Sequence, residues 1–159
     1  MNSTVSFRNK KILVIGAHPD DNDFGAAATM AVAARQGAKI FYIIATKGQR
    51  GSNEKKMTAD KLSSIREGEQ NEAAKILGVK GVIFLDYCDG ELEVNLALKE
   101  KLVMFLRKYR PDYVFSMDPS RYYYKRMDFG FINQSDHRAI GEAVLDASYP
   151  LARDILSFP

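Results

Sequence analysis

Short apolar runs alternate with helical patterns along this chain, and that alternation limits the possible folds more than any other feature. Strands that alternate with helices pair in parallel through right-handed crossovers. We therefore predict an α/β fold: a Rossmann-like, open, mostly parallel sheet in strand order 3-2-1-4 with helices on both faces. The predicted strands are residues 10–16, 38–45, 82–85 and 113–117, and the predicted helices are residues 25–36, 58–77, 96–109 and 137–149. Residues 118–136 show no clear periodicity.

The length and composition are those of one ordinary folded domain. The chain has 159 residues, of which 46% are hydrophobic, and a domain of this size buries about two thirds of the surface that its unfolded chain exposes. We expect residues 1–159 to form a single domain whose core needs no disulfide or structural metal. A bound metal would therefore serve chemistry.

Charge, cysteine content and hydropathy exclude several partners. The net charge is only +3 and the basic residues are interspersed with acidic ones, so we expect no nucleic-acid partner. Cys88 is the single cysteine and residues 1–10 lack the apolar core of a signal peptide, which favours a cytoplasmic location. The apolar runs are far shorter than the roughly 18 residues of a membrane span. The sequence leaves a homo-oligomer open.

Both histidines of the chain lie beside aspartates, in loops that follow two strands predicted to be neighbours. His18, Asp20 and Asp21 come after the first strand, and Asp136 and His137 come after the fourth. The crossovers leave these two strands in opposite directions, so a crevice opens at their carboxyl ends. We expect the ligand site there.

His18, Asp21 and His137 could together bind a divalent metal. Two imidazoles and one carboxylate leave positions open for water and substrate, as in catalytic zinc sites. His18 and Asp21 are close in a turn where Pro19 fixes one backbone angle, so both can converge on one point. Asp20 remains in reach of a metal-activated water as its general base. The set predicts a hydrolase.

Other interpretations fit parts of this pattern. The histidines and aspartates could instead cap loops and helices, but their joint presence at one predicted cleft favours a metal site. Non-haem iron oxygenases use the same ligand types, but normally in all-β folds. A nucleotide-binding module is disfavoured because Gly16 is followed by Ala17 and His18 instead of a glycine-rich phosphate loop.

Several longer segments also match a known family. They are residues 17–25 (AHPDDNDFG), 46–51 (TKGQRG), 66–79 (REGEQNEAAKILGV), 89–92 (DGEL), 110–112 (RPD) and 136–141 (DHRAIG). Through them the chain resembles the LmbE/PIG-L-like metal-dependent deacetylases, which act on N-acetylglucosamine-type substrates. The resemblance implies zinc (Zn2+) held by His18, Asp21 and His137, with Asp20 as general base. It also implies a small-molecule N-acetylated amino sugar or glycoconjugate as substrate.

The resemblance and the chemistry of the side chains together suggest roles for further residues. Arg66 matches an arginine directed towards the sugar, where its forked guanidinium could bind hydroxyls or an anion; otherwise it is a solvated helix charge. Asp89 contacts a sugar hydroxyl or only forms an Asp-Gly turn. We expect Asp136 to assist catalysis by orienting a histidine or the water, or to cap the helix. Residues 121–126 (RYYYKR) could offer aromatic faces to a sugar, or serve packing and a solvated rim.

Two features depart from the family pattern. Gln134 stands where the family usually has a histidine that stabilises the oxyanion or protonates the leaving amine. Its amide can donate a hydrogen bond to an oxyanion but cannot supply a proton, so Asp20 would deliver that proton. The sequence also ends at Pro159, and we expect the C-terminal part usual in the family to be lacking. A degenerate, non-catalytic relative that binds metal or sugar, or serves as a subunit, is therefore the alternative, and an amidase acting on a longer amide fits the same residues.

Overall fold

Four parallel strands form the central sheet of the computed structural model, which describes residues 5–126 and 129–159. The sheet has the order β3-β2-β1-β4, so the predicted order and parallel sense are confirmed. Its strands are β1 (Lys11–Gly16), β2 (Lys39–Thr46), β3 (Gly81–Tyr87) and β4 (Tyr113–Ser116). The helices are α1 (Asp21–Arg35), α2 (Ala59–Leu77), α3 (Leu96–Tyr109) and α4 (Ser135–Asp146).

Helices cover both faces of the sheet, as predicted. Every residue of β1 after the first is buried, and because neighbouring residues of a strand point to opposite faces, both faces must be covered. On one face Leu13 belongs to a cluster with Leu98 of α3 and Ile140 of α4. On the other face Ile12 packs with Met30 of α1. The core is thus divided by the sheet into two halves.

The ends of α2 and α3 follow from their capping residues. The Thr58 side chain accepts a hydrogen bond from the Lys61 backbone N–H at the start of α2, and Asn95 does the same for Leu98 at the start of α3, as capping residues do. Gly78 has a φ of 78°, the left-handed conformation that ends many helices. Both the Asn95 cap and the Gly78 stop were predicted.

Two helices begin earlier than the sequence pattern predicted, and one supersecondary element was missed. The first residues of α1 and α4 are mostly polar, so the predicted helical pattern starts four residues into α1 and two residues into α4. The segment without periodicity contains an antiparallel pair, β5 (Tyr123–Arg126) and β6 (Phe129–Ile132). Tyr123 and Ile132 are opposite each other and both are exposed, so no alternation of polar and apolar residues marks these strands.

Within the described residues, no helix combines the length and the apolar character that crossing a membrane requires.

Candidate metal centre

The loops that follow β1 and β4 meet at one edge of the sheet and border a cavity of about 630 Å³. Ile15 is paired with Ser116 in the parallel register, so the chain leaves both strands side by side. Most of the predicted site residues line this cavity: His18, Asp20, Asp21, Arg66, Asp89, Gln134 and His137. Asp136 is buried behind them.

His18, Asp21 and His137 converge on one point at the cavity. His18 Nδ1 lies 3.4 Å from Asp21 Oδ2, and His137 Nε2 lies 3.1 Å from Asp21 Oδ1. One ligating atom from each residue lies within 4.8 Å of the other two. Two imidazole nitrogens and a carboxylate oxygen at this spacing fit a divalent ion with further positions open to water and substrate.

Asp21 also shapes the turn that presents His18. Its Oδ2 accepts hydrogen bonds from the backbone N–H groups of Ala17 (3.1 Å) and His18 (2.8 Å). Burial opposes ionisation of Asp21, but the hydrogen bonds from His137 and His18 outweigh it and lower the pKa of the carboxyl well below its usual range. The side chain is therefore a carboxylate, the form in which it can bind a metal.

Two further carboxylates contact the opposite side of the His18 ring. His18 Nε2 lies 3.1 Å from Asp89 Oδ1 and 3.2 Å from Asp136 Oδ2. Because carboxylates only accept hydrogen bonds, the two carboxylates at Nε2 favour a neutral ring with its proton on that nitrogen, which would leave the Nδ1 lone pair on the side of Asp21 and the cavity. Burial disfavours the charged ring, but Asp21, Asp89 and Asp136 together raise the pKa of His18. His18, Asp89 and Asp136 also lie within metal-binding distance of one another, yet their burial leaves little room for water and substrate.

Both of these carboxylates are bound by backbone amides of loops that lie far away in the sequence. Asp136 accepts from Gly90 N–H at 2.8 Å and from Leu92 N–H at 3.3 Å, and Asp89 accepts from Arg50 N–H at 3.0 Å. The predicted Asp-Gly turn is present, with Gly90 at a φ of 78°. The Asp89 carboxylate thus faces His18 in addition to forming the turn. No spacing in the sequence indicates this contact.

Asp20 lies beside the three converging residues with its carboxylate half exposed. Its backbone has a φ of 100° and a ψ of −33°, a conformation that costs a non-glycine residue on the order of 1–3 kcal/mol. Burial and the Asp21 carboxylate raise the pKa of Asp20, although the Arg66 guanidinium opposes that shift. This carboxylate is suited to exchange a proton with a group in the cavity.

Arg66 is bonded within the protein and is not simply a solvated charge. Its Nη2 donates to Asp20 Oδ2 at 3.1 Å and to the Pro19 carbonyl at 2.7 Å, and its Nη1 donates to the Gly48 carbonyl at 3.3 Å. Gly48 has a φ of +62°, and a Cβ at this position would lie 2.1 Å from Arg66 Nη1. Only glycine therefore allows the guanidinium to approach this loop so closely.

A comparison with known protein families covers both loops of this site. The family model described as PIG-L, GlcNAc-PI de-N-acetylase, matches residues 13–148. The chain belongs to the PIG-L family. The matched residues include all of the predicted site residues, so the resemblance inferred from the sequence motifs is confirmed.

Known PIG-L relatives include deacetylases of acetylated sugars. A diacetylchitobiose deacetylase from Thermococcus kodakarensis is 34% identical over 110 residues, covering 69% of this chain and 41% of the relative. The solved N,N'-diacetylchitobiose deacetylase from Pyrococcus horikoshii superposes with a TM-score of 0.78 at 32% identity, covering 87% of this chain and 49% of that one. The chain thus spans about half the length of these relatives.

The same architecture also occurs in a protein with another activity. GalB, the 4-carboxy-2-hydroxymuconate hydratase from Pseudomonas putida KT2440, superposes with a TM-score of 0.72 at 26% identity over 87% of this chain and 55% of that one. The fold alone therefore does not determine the reaction.

The β5–β6 hairpin forms an aromatic side of the cavity in this PIG-L chain. The Tyr124 and Phe131 rings stack with centroids 5.3 Å apart, and both line the cavity. The buried Asn133 supports the hairpin by donating to the Asp118 carbonyl at 3.0 Å and to the Arg121 carbonyl at 2.9 Å. Tyr124 lies in the segment that the sequence singled out for aromatic faces, whereas no sequence pattern indicated Phe131.

Gln134 lies directly before α4 at the rim of the cavity. Its side chain is exposed and makes no capping hydrogen bond to the helix among the described residues. The amide is thus available to a ligand in the cavity.

Proposed function

We propose that this PIG-L chain is the metal-binding and water-activating domain of a zinc-dependent N-deacetylase that acts on N-acetylated amino sugars. The observation that carries the proposal is the convergence of His18 Nδ1, the Asp21 carboxylate and His137 Nε2, with the Asp20 carboxylate beside them. The deacetylases among its relatives support the choice of reaction.

The proposed ligands are His18, Asp21 and His137. This mixed nitrogen and oxygen donor set suits zinc. When bound, such an ion lowers the pKa of a water molecule and polarises the acetamide carbonyl.

In this proposal Asp20 transfers the proton. Its carboxylate accepts a proton from the attacking water, and the resulting carboxylic acid donates that proton to the nitrogen as the C–N bond breaks. The products are acetate and a free amine. The raised pKa of Asp20 favours uptake of the proton from the attacking water, while Arg66 holds the carboxylate in place.

Gln134 has the complementary role of a hydrogen-bond donor. Its amide can donate to the carbonyl oxygen as negative charge develops there. The amide has no proton to release at neutral pH, so protonation of the leaving amine depends on Asp20 alone.

We propose that Asp89 and Asp136 orient His18, and that the aromatic side of the cavity contacts the sugar. The two carboxylates reach the ring at 3.1 and 3.2 Å, as partners of metal-binding histidines do. Tyr124 and Phe131 offer apolar ring faces to a pyranose. A cavity of about 630 Å³ is within the range of small-ligand sites.

Metal content and acetate release test the proposal. We expect about one zinc per chain by elemental analysis and its loss in His18→Ala, whereas Asp86→Asn, an exposed aspartate at the end of β3, keeps the metal. Acetate release from diacetylchitobiose and N-acetylglucosamine should require zinc, and Asp20→Asn should retain zinc but lose most turnover. An unchanged turnover in zinc-loaded Asp20→Asn would exclude Asp20 as the base.

The alternative is a non-catalytic relative that binds metal or sugar. It predicts bound zinc without acetate release from any acetylated amino sugar. A chain that binds no zinc even when the ion is supplied would overturn the proposed metal centre.

A further inference from the structure

The peptide group that joins Pro19 to Asp20 is bonded at both ends by side chains of α2. The Pro19 carbonyl accepts from Arg66 Nη2 at 2.7 Å, and the Asp20 N–H donates to Gln70 Oε1 at 3.0 Å. Arg66 and Gln70 are four residues apart and therefore project from the same face of the helix. Because a peptide group is planar, these two bonds fix its orientation and with it the φ of Asp20.

Gln70 is itself held in one orientation. Its Nε2 donates to Asp23 Oδ2 at 2.8 Å, and its side chain is only 3% exposed. A carboxylate only accepts and a backbone N–H only donates. A reversed amide would therefore place Oε1 against the Asp23 oxygen and Nε2 against the Asp20 N–H, so the network permits a single arrangement.

The backbone at Asp20 needs such support. Its φ of 100° lies outside the regions that residues with a side chain ordinarily adopt. If φ relaxed by rotation about the N–Cα bond of Asp20, the Cα–Cβ bond would turn relative to the loop and carry the carboxylate away from its position beside Asp21. The Asp20 carbonyl also accepts from the N–H groups of Asp23 and Phe24, but those bonds belong to the first turn of α1 and leave the preceding peptide group free to rotate.

We propose that Gln70 is a positioning residue for the base: by bonding the Asp20 N–H, it holds the strained backbone that directs the Asp20 carboxylate into the cavity. The effect on turnover rests on the proposed function, whereas the effect on the backbone does not. Gln70 does not line the cavity described above, whereas Asp20 and Arg66 do.

Three variants test this role. Gln70→Met keeps the length of the side chain but removes both hydrogen bonds. The double variant Gln70→Glu/Asp23→Asn keeps the acceptor for Asp20 N–H, reverses the donor and acceptor of the second bond, and leaves the net charge unchanged. Glu72→Met, an exposed position on the same helix, is the matched control. For each protein we would measure zinc content, kcat and KM for diacetylchitobiose, and the backbone at Asp20 by crystallography.

We expect Gln70→Met to keep its zinc and its KM but to lose about 10- to 100-fold in kcat, the usual size of an effect from a misplaced catalytic group. In its crystal structure the Pro19–Asp20 peptide should be rotated. The double variant should regain most of the lost kcat and the original backbone, and Glu72→Met should match the unmodified chain.

Other outcomes would contradict the inference. An unchanged Asp20 backbone in Gln70→Met would overturn it, as would an equally impaired double variant or a loss of zinc that accounts for the whole defect. If the unmodified chain releases no acetate from any acetylated amino sugar, the proposed function fails, but the backbone comparison still decides whether Gln70 positions Asp20.

Discussion

His18 Nε2 lies 3.2 Å from Asp136 Oδ2, the carboxylate oxygen of a side chain with no exposed surface. The two residues are 118 positions apart, one in the turn after β1 and the other in the first turn of α4. Asp136 precedes His137 in the sequence but contacts the other histidine. The carboxylate therefore links the two loops that supply the proposed metal ligands.

Replacing Asp136 by asparagine should weaken metal binding. The new amide places its NH2 against a donor in both orientations. In one orientation the NH2 faces His18 Nε2 and the Gly90 N–H, and in the other it faces the Leu92 N–H. We expect zinc affinity to fall by about 10- to 100-fold and stability to fall by about 1–3 kcal/mol. Chelator competition and urea unfolding measure these effects. The exposed Asp60→Asn is the control, and equal zinc affinity in both variants would refute the orienting role.

The strained backbone of Asp20 predicts an unusual order of stabilities. Glycine adopts a φ of 100° without penalty, whereas alanine retains the steric conflict of a Cβ. We expect Asp20→Gly to be more stable than Asp20→Ala by about 1 kcal/mol in urea unfolding. At Glu72, inside α2, the same pair of substitutions should give the opposite order. A less stable glycine variant at both positions would show that Asp20 is unstrained.

Alanine variants of two glycines with positive φ distinguish the effect of backbone strain from the effect of a steric clash with Arg66. A Cβ at Gly48 would overlap Arg66 Nη1, whereas one at Gly37, with a φ of +89°, would meet nothing within 4 Å. Both alanine variants should lose roughly 1 kcal/mol of stability, but only Gly48→Ala should also lose turnover, because it displaces the guanidinium that holds Asp20. Equal kcat in the two variants would argue against this role of Arg66.

Gly141 lets α4 approach the end of β4. A Cβ there would lie 2.4 Å from the Met117 carbonyl oxygen, whereas one at Gly68 in α2 would meet nothing within 4 Å. Gly141→Ala should therefore cost about 1–3 kcal/mol and, by moving His137, weaken zinc binding. Gly68→Ala should stabilise the protein by roughly 0.5–1 kcal/mol. Urea midpoints and zinc titrations compare them, and two equally stable variants would contradict the close approach.

Much of the fold was predictable because its signals are local. Runs such as residues 12–15 mark buried strands, and Gly78 and Asn95 mark helix ends through their own backbone and side-chain chemistry. The starts of α1 and α4 were missed because their residues are polar: Asn22 donates to the Val14 carbonyl, and Asp21 and Asp136 contact the histidines. Such contacts leave no hydrophobic periodicity. The β5–β6 hairpin was missed because Tyr123 and Ile132 on one face and Phe131 on the other are all exposed.

The candidate site was predictable only in part, for a similar reason. Topology brings the loops after β1 and β4 together, so the convergence of His18 with His137 follows from strand order. The contacts of Asp89 with His18 and of Gln70 with Asp20 join segments that are distant in the sequence, and no periodicity encodes them. They depend on how the α2 helix and the loop after β3 pack beside the sheet.

The two halves of the core, divided by the sheet, hold the proposed metal ligands more firmly than the aromatic side of the cavity is held. Asp21 and His137 lie in the first turns of α1 and α4, which pack in the two halves of the core, and His18 lies in the turn directly before α1. The positions of the proposed ligands therefore tolerate little drift. The β5–β6 hairpin, by contrast, exposes Tyr123 and Ile132 and is tied to the body through the bonds of Asn133. Mutations can therefore remodel the aromatic side of the cavity without disturbing the ligands. Such independence would let one architecture accept different substrates.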